Sequence, residues 1–149
     1  MTAPLQSDYR ALNAVLFGIA WFKPLLTAPG STGAKLWVPG NPKPYRAITR
    51  VTGGQTDDAD YPTLRIHTFI DAAPNNYAAG MAEVAKTDER ARQLVYFPGY
   101  NTVMPDGSVA HCDWAEYPEA SREEGYGAES VVLRFVSELK LCISFAPVS

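Results

Sequence analysis

The stretch RVTGGQTDDADYPTLRIHTFI, residues 50–70, holds the groups of this chain best suited to chemistry. Gly53 and Gly54 offer bare backbone amides that could cradle a phosphate, and Asp57, Asp58 and Asp60 offer carboxylates that could hold a cation. Both ideas fail on spacing. The glycines do not form GxGxxG, and they lie between two strand-like runs, so no helix N-terminus waits for an anion. The acids lack the ligand order and closing glutamate of a calcium loop. GSTGAK, Gly30 to Lys35, fails the same way: the GxxxxGK[ST] spacing is absent and an extended run follows it. What remains is a glycine turn with a solvated acidic rim.

The nucleophile and base candidates are few. His67 sits mid-strand beside Arg65 and Phe69, where a surface or interface position is the expectation. His111 and Cys112 are neighbours in an extended segment, so their side chains leave on opposite faces. A thiolate–imidazole pair would therefore join Cys112 to His67. That pair carries one alternative reading, a small cytosolic enzyme or ligand-binding domain. Cys112 and Cys142 sit in apolar surroundings that suit reduced, buried thiols, and no Cys/His spacing resembles a zinc site. Carboxylates crowd residues 113–129, yet none is marked as a buried acid. No catalytic, cofactor-binding or metal-binding residue is assigned.

At 149 residues, 46% hydrophobic and 19% charged, the chain suits one domain with a real core. A net charge of −3 argues against a protein that grips nucleic acid by neutralising phosphates. The charge is unevenly spread along the chain. Residues 21–54 carry Lys23, Lys35, Lys43, Arg46 and Arg50 with no acid. Residues 106–129 carry seven acids, Glu116, Glu119, Glu123 and Glu124 among them, against Arg122 alone, a net of −6. Two complementary patches of this kind would suit head-to-tail contacts between copies. The N-terminus lacks the basic and apolar regions of a signal peptide, and ALNAVLFGIAWF is too short to span a bilayer, so a cytosol-like compartment is expected.

These groups need elements to position them. Ser7 can cap a helix from Asp8 to Phe22, with Leu12, Val15, Leu16 and Ile19 on its apolar face; Phe17, Trp21 and Phe22 widen that stripe, which implies deep burial or a partner. A short strand is expected at Leu36–Val38, and fuller ones at Tyr45–Thr52 and Thr63–Ile70. Asn75 or Asn76 can cap a second helix running to Leu94, lined by Ala78, Met81, Ala82, Ala85, Ala91, Leu94 and Val95. Gly80 in that helix suggests close packing on a sheet. Asp106-Gly107 reads as a hairpin tip, Val109–Tyr117 as a strand, PEASREEGYGAE as a polar loop, and Ser130–Phe145 as a final strand or strand pair. The predicted fold is α+β: a mainly antiparallel sheet of four to five strands packed by two helices, in a single domain over residues 1–149.

The succession of an N-terminal helix, a strand ending in RVTGG, an acidic loop, YPTLRIHTFI, the helix NNYAAGMAEVAKTDERARQLV and a last strand of SVVLRFVSELKL type resembles the tail terminator proteins of long-tailed bacteriophages, particularly those of actinobacteria. Other head–tail connector and minor tail proteins look similar. The likeness is clearest over residues 46–95 and 129–145. The resemblance implies a structural virion protein at the tail–neck junction, assembled in the host cytoplasm without catalysis, cofactor or membrane. It implies a homo-oligomeric ring, typically a hexamer, that caps the tail tube protein, stops its polymerisation and docks the head–tail connector. Double-stranded DNA would pass through the lumen without specific binding. Within such a ring the loop of Gly53, Gly54, Asp57, Asp58 and Asp60 is expected to face a neighbour or the lumen. Lys35, Lys43, Arg46 and Arg50 are expected to complement Glu116, Glu119, Glu123 and Glu124.

Overall fold

Two helices lie against one face of a six-stranded sheet in the computed structural model, which describes residues 7–25, 32–33, 35–56, 59–126 and 131–146. The helices are α1 (Ser7–Phe22) and α2 (Tyr77–Tyr96). The strands are β1 (Thr32–Gly33), β2 (Tyr45–Gln55), β3 (Ala59–Asp71), β4 (Asn101–Val103), β5 (Val109–Glu124) and β6 (Val132–Ala146). Their spatial order is β1-β2-β3-β6-β5-β4, and every pairing is antiparallel except the two-residue contact of β1 with β2. This is the α+β architecture that the sequence predicts.

Alternation along the long strands decides which side the helices cover. Ile48, Leu64, Ile66, Leu139, Leu141, Ile143 and Cys112 join Ala14, Phe17, Phe22, Ala91 and Leu94 in the main core. The broad stripe of α1 reflects depth rather than a partner. Trp21 donates from Nε1 to the Arg90 carbonyl (2.9 Å), Arg90 Nε donates back to the Trp21 carbonyl (2.8 Å), and the guanidinium lies 3.6 Å above the indole. The helices close on the sheet where side chains are smallest. A Cβ on Gly18 would meet Ile48 at 2.8 Å, and one on Gly80 would meet Ile70 at 2.7 Å. Leu12's side chain lies outside the described residues.

Several boundaries differ from the sequence expectation. Leu36–Val38 is not a strand; Trp37 instead donates to the Asn41 carbonyl and folds over Tyr45, Ala47 and Phe69. Asn76 is the N-cap residue of α2 as expected, but its side chain makes no capping hydrogen bond; its amide donates to Asp71 at 3.0 Å. The buried face of α2 is Val84, Thr87, Ala91 and Leu94, while Ala78, Ala82 and Ala85 are exposed. Alanine tolerates either environment, so it marks the buried stripe poorly. The polar run from Pro118 continues β5 to Glu124; β5 as a whole shows three register shifts against β6, two of them between Glu116 and Arg122. The hairpin at Asp106-Gly107 forms as predicted, with Gly107 at φ +87° donating to the Met104 carbonyl.

Gly53 and Gly54 are not the turn. They lie inside β2 opposite Pro62 and Tyr61, and the chain reverses later, where Thr56 and Ala59 bond to each other. Gly53 adopts φ +137°, and a Cβ there would sit 2.2 Å from the Tyr61 carbonyl oxygen. Gly53→Ala is therefore expected to cost roughly 2–3 kcal/mol in urea unfolding. Gly54→Ala meets nothing within 4 Å and should change stability by less than about 0.5 kcal/mol. Equal effects of the two substitutions would refute this account of the strand.

Candidate functional site

The acids and bases singled out in the sequence fall into different environments. Asp60 is in β3, fully buried, and accepts both arms of Arg50 at 2.5 and 2.7 Å. It is thus no part of a solvated rim. Asp57 and Asp58 lie outside the described residues. Arg46 is also buried, between the sheet and α2, and Lys43 pairs with Asp71 at 3.7 Å. Lys35, Glu116 and Glu123 are exposed; Glu119 pairs with Arg122, and Glu124 with Arg122 and Arg134. Arg46 and Arg50 are consumed inside the fold, so the basic segment leaves only Lys23, Lys35 and Lys43 at the surface.

The Cys112–His67 pair does not form. Cys112 packs with Ile143 in the core on the helix side, whereas His67 points from the other face of β3, opposite Ala47 and Val136. Burial also pushes the Cys112 thiol up to about 12, with Asp113 and Cys142 adding to the shift. A second polar group lies on the helix-free face, where His111 Nε2 and Ser144 Oγ both approach Asp113 Oδ1, at 3.5 and 3.2 Å. The carboxylate is the middle member, so the serine hydroxyl faces an acceptor rather than an imidazole base, the reverse of a nucleophile–base–orienter relay. Among the described residues no group of three His, Cys, Asp or Glu is placed to hold a metal ion, and no helix is long and apolar enough to cross a membrane.

The helix-free face is charged but self-neutralised. Arg65 reaches Glu138 at 3.1 Å, Arg134 reaches Glu124 at 3.1 Å, and Arg122 bridges Glu119 and Glu124. His67 is buried among them rather than exposed as its sequence setting suggested, with Nε2 3.1 Å from the Thr49 hydroxyl. Burial lowers its pKa from 6.5 to about 4; Arg134 and Arg65 push the same way, and Glu124 opposes them. The unfolded chain therefore binds a proton that the folded chain refuses. The stabilisation is fully present above pH 6.5 and is lost as pH falls toward 4. Across that window His67 should account for roughly 3 kcal/mol of lost stability. Thermal melts of the wild type and His67→Gln at stepped pH check this, because the variant should show a shallower slope between pH 6.5 and 4.

Two further features had no sequence signal. One is a cavity of about 340 Å³ between the N-terminal half of α2 and the Asn41–Pro44 loop. Apolar Pro42, Pro44, Ile70, Ala79 and Gly80 line it together with polar Asn41, Lys43, Asp71, Asn76 and Glu83. The other is Tyr96 and Phe97, at the opposite end of α2, which are 72% and 76% exposed. Both are composed across elements, so no local motif announces them. The chain matches no protein-family model and no curated protein.

Proposed function

We propose that this chain is a ring-forming structural protein of the phage tail terminator type, which caps a tail tube, halts its growth and presents a surface to the head connector. The observation that supports it best is a sheet with two unlike edges, one without a strand neighbour and one guarded. Among the described residues β1 pairs with β2 only at Arg46 and Ala47, so β2 has no strand neighbour on its outer side from Ile48 to Gly54. At the other side β4 pairs with β5 only at Val109–His111. The remainder of β5 is guarded by Pro118, by bulges, and by Asp88, which accepts the Ser121 amide at 3.0 Å. Unlike surfaces on opposite sides of a subunit favour heterologous contacts, the kind that close into rings. The helix-free face, whose charges cancel one another, suits a conduit that passes DNA without gripping it.

Negative-stain microscopy and native mass spectrometry of the full chain, alone and mixed with polymerising tail-tube protein, test the proposal. Closed rings, alone or on tube ends, with tubes of arrested length, are the expected result. A chain that stays monomeric, binds no tube end and leaves tube length unchanged overturns it. Because Asp60 is consumed internally, the acidic turn is tested with Asp57→Asn/Asp58→Asn, expected to alter ring yield while leaving the melting temperature within about 2 °C.

A further inference from the structure

A bulge in β5 re-aims a tryptophan. Cys112 lies opposite Ile143 of β6 and packs in the core on the helix side, so strict alternation would turn Trp114 toward the helices as well. The register shift after Cys112 instead leaves Asp113 without a partner on β6, sets Trp114 opposite Cys142 and returns Ala115 to the core. Asp113 and Trp114 therefore stand together on the helix-free face, which only an inserted residue allows.

Trp114 is 36% exposed there, whereas Trp21 and Trp37 are buried at 8% and 3%. Its ring leans toward Tyr61 of β3, with centroids 6.3 Å apart and planes at 38°. Cys142, on the strand between them, is 5% exposed, so the two rings form a shallow aromatic floor. Asp113 stands at its edge. Its Oδ1 accepts from Ser144 Oγ at 3.2 Å and lies 3.5 Å from His111 Nε2, and the His111 ring is itself held by Asn101 at 2.6 Å. Among the described residues its Oδ2 meets only the Cys142 thiol, at 3.6 Å, a weak donor. The carboxylate is thus fixed through one oxygen and open at the other. Glu119, Glu124 and Glu138 on the same face are each paired with an arginine, whereas no lysine or arginine among the described residues pairs with Asp113. Lys140 stands opposite Glu116, so those two charges offset each other.

We propose that Trp114, Tyr61 and Asp113 form a docking site for an arginine side chain presented by a protein partner. A guanidinium is flat and lies against an aromatic face, while its N–H groups point outward in its own plane, toward a carboxylate at the edge of the floor. A lysine ammonium is compact and strongly hydrated, and uses the floor less well. A neutral sugar would leave the Asp113 charge unmatched, and a nucleic-acid strand would bring phosphates up to it. The site lies on the sheet face rather than along an edge, so it stands apart from the ring reading. One such anchor is a hot spot within a larger contact, and a lone arginine binds it only in about the millimolar range.

The test titrates the full chain with acetyl-arginine-amide and follows the indole N–H signals by NMR. The Trp114 signal, identified by its loss in Trp114→Phe, should move saturably with a midpoint of about 1–10 mM, while those of Trp21 and Trp37 stay in place. The citrulline analogue, similar in shape but uncharged, should bind about ten-fold more weakly, and the lysine analogue about three-fold. Asp113→Asn should weaken arginine about ten-fold with a melting temperature within about 2 °C of wild type. The absence of a saturable shift overturns the site, as does equal binding of arginine and citrulline or an unchanged midpoint in Asp113→Asn. Tighter binding of a neutral methyl glycoside than of arginine overturns the guanidinium assignment. Each of these failures leaves the ring proposal standing, because neither sheet edge takes part.

Discussion

Asp60→Ala is expected to lower the unfolding free energy by about 3–5 kcal/mol. The carboxylate is fully buried and takes Arg50 Nη1 and Nη2 at 2.5 and 2.7 Å, while the same guanidinium also donates to the Gly53 carbonyl at 3.2 Å. Arg50 is itself only 13% exposed. Deleting the acid therefore leaves a cation that water reaches poorly, and the cost is that stranded charge rather than the strength of the pair. It follows that removing both partners, as in Asp60→Leu/Arg50→Met, should recover much of the loss, to within about 1–2 kcal/mol of wild type. Urea titrations of the two single variants and the double variant supply the cycle. If Asp60 instead behaved as a rim acid, its replacement would fall within about ±0.5 kcal/mol with no coupling to Arg50, and the assignment would fail.

The fate of these two residues shows where sequence reasoning reaches its limit. Periodicity made α1, β3 and β6 legible, because Val15 and Phe17 in the helix and Leu64, Ile66, Leu139 and Leu141 in the strands fill the positions that must be buried. Glycine misled at Gly53, since a turn and a close backbone approach both call for a residue without Cβ, and only the Tyr61 carbonyl shows which applies. Polarity misled at Pro118–Glu124. An edge strand that water reaches needs no apolar alternation, and its composition then matches that of a loop. Charge misled most. Counting Arg46 and Arg50 toward a basic surface assumes that cations are exposed, yet each meets an acceptor from a segment distant in the chain or across a strand pair. The cavity and the aromatic projection were illegible for the same reason, since each depends on which segments meet at an end of α2.

Arg46 should show the second large effect. Its guanidinium, 1% exposed, donates from Nε to Thr87 Oγ1 (2.8 Å), from Nη1 to the Leu25 carbonyl (3.2 Å) and from Nη2 to the Glu83 carbonyl (2.8 Å). Thr87 in turn lies 3.0 Å from the Thr68 hydroxyl. Burial lowers the Arg46 pKa while Glu83 raises it, and a guanidinium stays charged at neutral pH under either influence. Arg46→Ala removes the fork, opens a void and leaves Thr87 and two carbonyls without their donor, at a cost of about 3–5 kcal/mol. Arg46→Lys keeps the charge but cannot span three acceptors in one plane, and should cost about 1–3 kcal/mol. Because the fork holds the Glu83 turn of α2 over β2, the lysine variant should also speed amide exchange in residues 77–87 more than in 88–96, where Arg90 and Leu94 anchor the helix separately. That half of α2 lines the recess at Ala79 and Gly80, so the same variant should loosen the recess before it unfolds the chain. An Arg46→Lys protein with wild-type stability and uniform exchange along α2 would mean that the network is incidental to the helix and to the recess it builds.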